Sequence, residues 1–418
     1  MFEFGRDLRK LFEKARESED LGWLELVGAD LVQMEARRES VDAGRVSCAR
    51  PFDGWMRASA LWREHARRTG CAASLDHAAA AASDAARQTA SPDQTAAAAI
   101  ESGEIHLLRF DLFGGPAALT AALSDIQTLP AERSATRCAA ASLHARLSAR
   151  RARLSGDARA LLDAAALLDA ALHGAGRLLP APASDELRLE RAALGLEAGV
   201  ARRDPRLLDQ AGRDLRSLIE TASPDQRPLT RARALALAGA GMAALAVLAK
   251  NEAAAVQGRS LFEAAADQFT PDHSPMDWLA VFLARADAGD PALETVRRAE
   301  TLGGQPGLLL GALARERRLA VEAALAEAVA DVEALNALEA LIRGRLAAPE
   351  PVRPVDWAAD QIAMARVALA RSRLTGSQPR AVGLMLTEAM ETAREYGATA
   401  LARRAAGVLP DTPSPGCA

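Results

Sequence analysis

Apolar residues along this chain recur three and four positions apart, in blocks separated by proline, glycine and aspartate. Prolines at Pro92, Pro130, Pro180, Pro224, Pro271 and Pro354 open these blocks, and the openers from Pro130 to Pro271 are spaced 50, 44 and 47 residues apart. Most blocks divide into two amphipathic stretches around a short turn, which predicts stacked helix pairs. The first pair is expected at Asp53–Arg68 and Ala72–Thr89, and the second starts at Ser91-Pro92-Asp93 and turns at Gly114-Gly115-Pro116. The third runs from Ser134 to Leu154, turns at Gly156-Asp157 and returns as Ala158–His173. The fourth follows Pro180 and turns at Asp204-Pro205. The fifth opens at Ser223-Pro224-Asp225 and turns near Asn251, and the sixth opens at Thr270-Pro271-Asp272 and turns at Gly289-Asp290-Pro291. Serine, aspartate and proline suit these positions because the first turn of a helix needs side-chain acceptors and tolerates a missing N–H.

Three regions depart from this plan. In residues 1–50, Phe4, Leu8, Leu11, Phe12 and Ala15 share one helical face, and a second apolar group runs from Leu21 to Leu31. We read two helices that cap the array, with membrane or partner docking of the first as the alternative. From Leu308 to Leu346 there is no proline, and Val321, Leu325, Ala328, Val332, Leu335, Leu338, Ile342 and Leu346 form a narrow seam. This predicts one long helix or two nearly collinear ones, either an oversized repeat helix or a homo-oligomer seam. A last pair spans Asp356–Leu374 and continues to about Val408 after a turn at Gly376-Ser377-Gln378-Pro379, and the tail Pro410–Ala418 is expected to be disordered. The domain plan is therefore a cap at 1–50, an array at 51–302, an irregular helical segment at 303–348, a C-terminal pair at 349–409 and a tail at 410–418.

Composition narrows the fold to all-α. Alanine is roughly a quarter of the 418 residues, aromatics are 4%, and Tyr396 is the single tyrosine, so strand formers are scarce. Residues Ala234–Ala249 carry no charge, but the run is too short and too alanine-rich for a bilayer span, and a fully buried helix is expected there. The N-terminal twenty residues mix five basic with six acidic side chains and contain no signal-type apolar core, which predicts a cytoplasmic protein. Cys48, Cys71, Cys138 and Cys417 lack zinc or disulfide spacing and read as free thiols. A net charge of −4 argues against nucleic acid as the partner. Lysine is confined to Lys10, Lys14 and Lys250, a mark of codon bias in a GC-rich genome rather than of function.

With these elements placed, several segments resemble the tetratricopeptide repeat superfamily. Pro354-Val355-Asp356-Trp357, with Gln361, Ala365 and Leu369, is similar to the Pro-x-Asp-Trp opening of first helices in bacterial members. Ser274-Pro275-Met276-Asp277-Trp278 matches the same opening, and Gly289-Asp290-Pro291-Ala292-Leu293 resembles the family's Gly-Asp turn. Gly156-Asp157 with Ala160, and Gln378-Pro379-Arg380-Ala381, are looser matches. The repeats here are longer than the family's and lack its first-helix tyrosine. The resemblance implies an α-solenoid of stacked antiparallel helix pairs, a right-handed superhelix whose concave wall of first helices holds a peptide or partner helix.

Candidate chemistry is sparse. There is no phosphate loop, no His-Glu-x-x-His and no Gly-x-Ser-x-Gly, and the Gly239-Ala240-Gly241 cluster reads as close helix packing. His65, His77, His106, His144, His173 and His273 form no i, i+4 pair for a metal. No catalytic residue, cofactor or metal is therefore assigned.

Two binding candidates stand out. Between Glu132 and Asp157 the chain carries Arg133, Arg137, Arg146, Arg150, Arg151 and Arg153 with no acid, and Arg146, Arg150 and Arg153 share a face. They are suited to a carboxylate-rich or phosphorylated segment, unless they pair with acids such as Asp163, Asp185 or Glu186 on neighbouring helices. Trp55 and Trp62, with His65, form an aromatic stripe that is either a binding hot spot or the buried side of its helix. The expected function is a non-catalytic scaffold or adaptor that binds another protein. A sensor that binds a small molecule or signalling peptide is the alternative, and a helical enzyme ranks third.

Overall fold

The computed structural model describes residues 21–126, 133–176, 178–289, 293–348, 352–377 and 381–409. Every regular element among them is helical and consecutive helices pack in pairs, as alanine and leucine at helical spacing dictate. After a 3₁₀ turn at Leu21–Leu26, the helices are α1 (Ala29–Ala43), α2 (Pro51–Thr69), α3 (Ala72–Arg87), α4 (Pro92–Phe113), α5 (Pro116–Ile126) and α6 (Ser134–Ser155). Then follow α7 (Ala158–Ala175), α8 (Ala181–Arg202), α9 (Pro205–Thr221), α10 (Pro228–Ala249), α11 (Glu252–Ala266) and α12 (Pro275–Asp287). The remainder are α13 (Leu293–Leu302), α14 (Leu309–Ala328), α15 (Val332–Leu346), α16 (Pro354–Thr375), α17 (Val382–Glu395) and α18 (Thr399–Val408).

Helix starts follow the expected chemistry. The carboxylates of Asp157, Asp204 and Asp331 and the amide oxygen of Asn251 each accept a hydrogen bond from a first-turn N–H. Two starts move. α10 begins at Pro228 and α12 at Pro275, four residues after the proline that was expected to open each of them, because 223–227 and 271–274 form turns of their own. The N-terminal reading also changes. Its first expected helix lies outside the described residues, and the Leu21–Leu31 group divides into the 3₁₀ turn and the start of α1. The turn centred on Asp290-Pro291, the opener Pro130, most of the Gln378–Ala381 turn and the tail also lie outside.

The chain forms two compact units, Met1–Ile105 with Ala122–Ala288, and His106–Ala121 with Gly289–Ala418, so α4 and α5 contribute to both. In the first unit, the first helices of successive pairs run parallel. Arg146, Arg150 and Arg153 of α6 reach Glu186, Glu190 and Glu197 of α8, advancing together along both helices. Related rungs join Arg63 to Glu101, Arg146 to Glu104, Arg227 to Asp185 and Arg233 to Asp277. The last helix of the unit, α12, packs back on α2. Residues 21–27 lie across that junction. Glu25 accepts hydrogen bonds from Arg227, Thr230 N and Thr230 Oγ1, while buried Arg68 donates to the carbonyls of Leu24 and Val27.

α10 is long and apolar enough to cross a membrane, but it packs on α9, α11 and α12. The expectation of full burial is corrected, since Val247 is 79% exposed and the buried residues lie between Pro228 and Gly239. Close packing at the glycines does occur. A Cβ at Gly239 would stand 3.0 Å from Phe262, and one at Gly241 would stand 2.9 Å from Leu196.

In the second unit, the expected long helix is replaced by a hairpin. Ala330 adopts φ 56° and Asp331 N bonds to Ala326 O, which reverses the chain between α14 and α15. Direction follows from the pairs with α16. On α14, Arg315 meets Asp356 and Glu327 meets Arg373, so those helices run parallel. On α15, Arg345 meets Asp360 and Glu339 meets Arg371, so that helix runs opposite. The proposed seam is thereby split: Leu335 and Ile342 are buried against α16, whereas Leu325 is 51% exposed. The helical spacing holds on both sides of the reversal, but an unfavourable φ on an alanine carries no sequence mark. Elsewhere in this unit Gly115 N donates to Tyr396 O, and Gly114, at φ 69°, leaves no room for a Cβ, which would fall 2.0 Å from that oxygen.

Candidate functional site

Asp277 and Asp356, the aspartates of the two Pro-x-Asp-Trp openings, do the same structural work. Asp277 accepts hydrogen bonds from Nε and Nη2 of Arg233, each at 2.7 Å, and from the hydroxyl of Ser274. Asp356 accepts Arg315 at 2.8 Å and Gly307 N at 2.7 Å. Each clasps the first helix that precedes it. The motif residues thus hold helix pairs in register and are only slightly exposed.

The inner faces of the first unit bring charges from non-adjacent helices together. Arg67 of α2 interacts electrostatically with Glu64, Asp277 and Glu186, and Glu186 with Arg146, Arg67, Arg233 and Arg63. Arg146 holds the Glu186 carboxyl down to about 2, against the opposing effect of burial. At Asp277 burial favours the protonated form, but Arg233 and the Ser274 hydroxyl outweigh it and the group also falls to about 2. Glu64 is likewise held below the usual carboxylate range, where Arg67 and Arg68 overcome the cost of burial. This wall is densely charged yet closely paired.

The arginine row on α6 divides between two faces. Residues 137, 144 and 151 lie seven apart, while 146, 150 and 153 lie roughly half a turn round the same helix. On the inner face, Arg146 contacts both Glu104 oxygens at 2.7 and 2.8 Å and Glu186 at 3.2 Å. Arg150 pairs with Glu190, and Arg153 contacts Glu190 at 2.7 Å and Glu197 at 2.9 Å. Glu186 is among the acids expected to pair with the row, while Glu104, Glu190 and Glu197 come from helix faces the sequence did not connect to it. Glu190 is buried beneath two guanidinium groups, so these three arginines are largely balanced by carboxylates.

The opposite face looks into a cleft of about 760 Å³, within the usual range for ligand sites. Leu123 and Ile126 of α5 form one side, Arg137, Ala141, His144 and Arg151 of α6 another, and Leu167, Ala170 and Gly174 of α7 the third, with Leu178 beyond. Leu167 is 41% and Leu178 48% exposed, and no carboxylate is among the described lining residues. Arg137 is exposed and donates to Ser134 Oγ. Cys138 donates its thiol to Gly174 O. Arg151 is exposed and has no ion-pair partner among the described residues. The seven-residue step of Arg137, His144 and Arg151 is the sequence signal for this face, whereas the denser basic run belongs to the paired one.

The tryptophans lie elsewhere. Trp62 is 5% exposed, donates its indole N–H to Ser40 Oγ and packs against His77, so it is part of the core rather than a hot spot. Trp55 is half-buried over Gly44. His65 bonds Ser74, and burial holds its pKa below the usual histidine value. No group of three or more His, Cys, Asp or Glu among the described residues is arranged to hold a metal. No protein-family model and no curated protein matches the chain.

Proposed function

We propose that the protein is a non-catalytic scaffold that binds another protein on a tetratricopeptide-like helical array. The observation that carries this reading is the set of parallel first helices joined by rungs whose partners lie 38 to 44 residues apart in the first unit. Such a wall has the repeat-to-repeat contacts of a solenoid, in which recognition is a property of the assembled surface. The N-terminal residues act as its cap, with Glu25 and Arg68 as the anchors. Exposed leucines beside cations, as at Leu167 and Arg151, supply the kind of contact that protein partners use.

Cross-linking followed by affinity purification from native lysate tests this reading. A stoichiometric protein cross-linked to the array is the expected result; recovery of the chain alone under several salt conditions overturns it.

A second reading is favoured by the convergence of Arg67, Glu186 and Asp277, which offers a charged small molecule several hydrogen-bonding groups. It predicts a raised melting temperature with one class of charged metabolite, because binding the folded state alone stabilises it. A broad screen without a shift removes it.

A further inference from the structure

We infer that the cleft between α5, α6 and α7 is a docking site for an amphipathic helix of a partner protein, one with an apolar stripe flanked by carboxylates. The inference rests on the scaffold reading and names its surface and partner chemistry. Three features of the cleft select this occupant. Its floor and sides present exposed apolar side chains, led by Leu167 and Leu178, which gain by being covered. Its described lining has cations but no carboxylate, although acids outnumber bases in the whole chain. Arg137, His144 and Arg151 stand one heptad apart over about 21 Å of helix axis, which matches carboxylates repeating along a helix of three heptads or so.

The inner arginines are unsuited to the same partner. Their carboxylate neighbours would have to be displaced before a ligand acid could enter, and leaving Glu190 buried without its guanidinium groups is costly. At Arg151 no carboxylate among the described residues has to be displaced by an incoming one. The contact should therefore speed association and set orientation, while the leucines supply most of the apolar contact.

The test uses the full chain and a fluorescein-labelled three-heptad peptide with leucine at its a and d positions and glutamate at e and g, followed by anisotropy. Its counterpart carries lysine in place of glutamate. The glutamate peptide should bind roughly tenfold or more tighter than the lysine peptide, and more weakly as salt is raised. Arg137→Glu with Arg151→Glu should weaken it by roughly tenfold, and Ala170→Trp, which fills the cleft, by a similar factor. Arg159→Glu, at an exposed pair outside the cleft, should leave affinity within about twofold. Circular dichroism on each variant confirms the fold. Absence of binding by the glutamate peptide, equal binding of both peptides, or indifference to the cleft variants overturns the inference. Capture of the same cross-linked partner by the wild type and by the double charge reversal would overturn the cleft while the scaffold reading stands. Recovery of no partner by the wild type overturns the scaffold reading, and the titration still decides the cleft.

Discussion

Arg150 and Arg151 are neighbours in sequence and opposites in structure. Arg150 turns inward to Glu190, where both side chains are mostly shielded from water, and Arg151 turns outward to an exposed cleft. The same residue type therefore contributes register between helices in one case and an open charge in the other. What separates them is helical phase and the faces that neighbouring helices bring up. A run of basic residues is thus a statement about two surfaces, and the one with the denser run is the one already neutralised.

The largest expected effect lies on the inner side. Glu190→Ala leaves Arg150 and Arg153 without their shared acceptor and should cost about 3 kcal/mol, read as a fall in the urea midpoint of tryptophan emission. Four of the five tryptophans lie in the first unit, so that signal reports mainly on it. A loss below about 1 kcal/mol would remove the structural role of the inner face.

Acid should weaken the same wall. Asp277 falls from 3.8 to about 2 and Glu186 from 4.5 to about 2 in the folded protein. A carboxyl with a depressed folded pKa stabilises at pH above its unfolded value, and that contribution is lost as pH falls through the folded one. Stability should decline between about pH 4.5 and 2, by roughly 2 kcal/mol from Asp277 alone, which is only 16% exposed. Asp360 of the second unit, raised by burial despite Arg345, opposes this trend, so Asp360→Asn should steepen the acid loss. A flat profile over this window contradicts the clasp at Asp277.

Smaller effects belong to the cleft. Leu167→Ser removes an exposed leucine and should change stability by no more than about 0.5 kcal/mol in thermal melts, while weakening the glutamate peptide severalfold. Large destabilisation would place Leu167 in the core.

Much of the fold was legible because its signals are local. Pro92 marks a start because a first-turn proline lacks only an N–H the helix does not need, and Asp157, Asp204 and Asn251 mark starts through capping chemistry that each residue carries itself. The Ala330 reversal was not legible, since alanine favours continuing the helix and only packing against α16 decides otherwise. The site was half legible. The arginine row was visible in the sequence, but its partners Glu104, Glu190 and Glu197 lie 37 to 44 residues away on helices whose rotation the sequence does not state. Trp62 shows the same limit, because its acceptor Ser40 lies near the end of α1, an end that periodicity alone does not set.

The central claim is that α6 has one structural and one open face. Parallel urea unfolding of Arg150→Ala and Arg151→Ala tests it most directly, with tryptophan emission as the readout. Arg150→Ala should lose about 2 kcal/mol, since Glu190 keeps only Arg153, and Arg151→Ala should stay within about 0.5 kcal/mol of the wild type. Equal losses, or a larger loss at Arg151, would contradict the division of this helix into two faces.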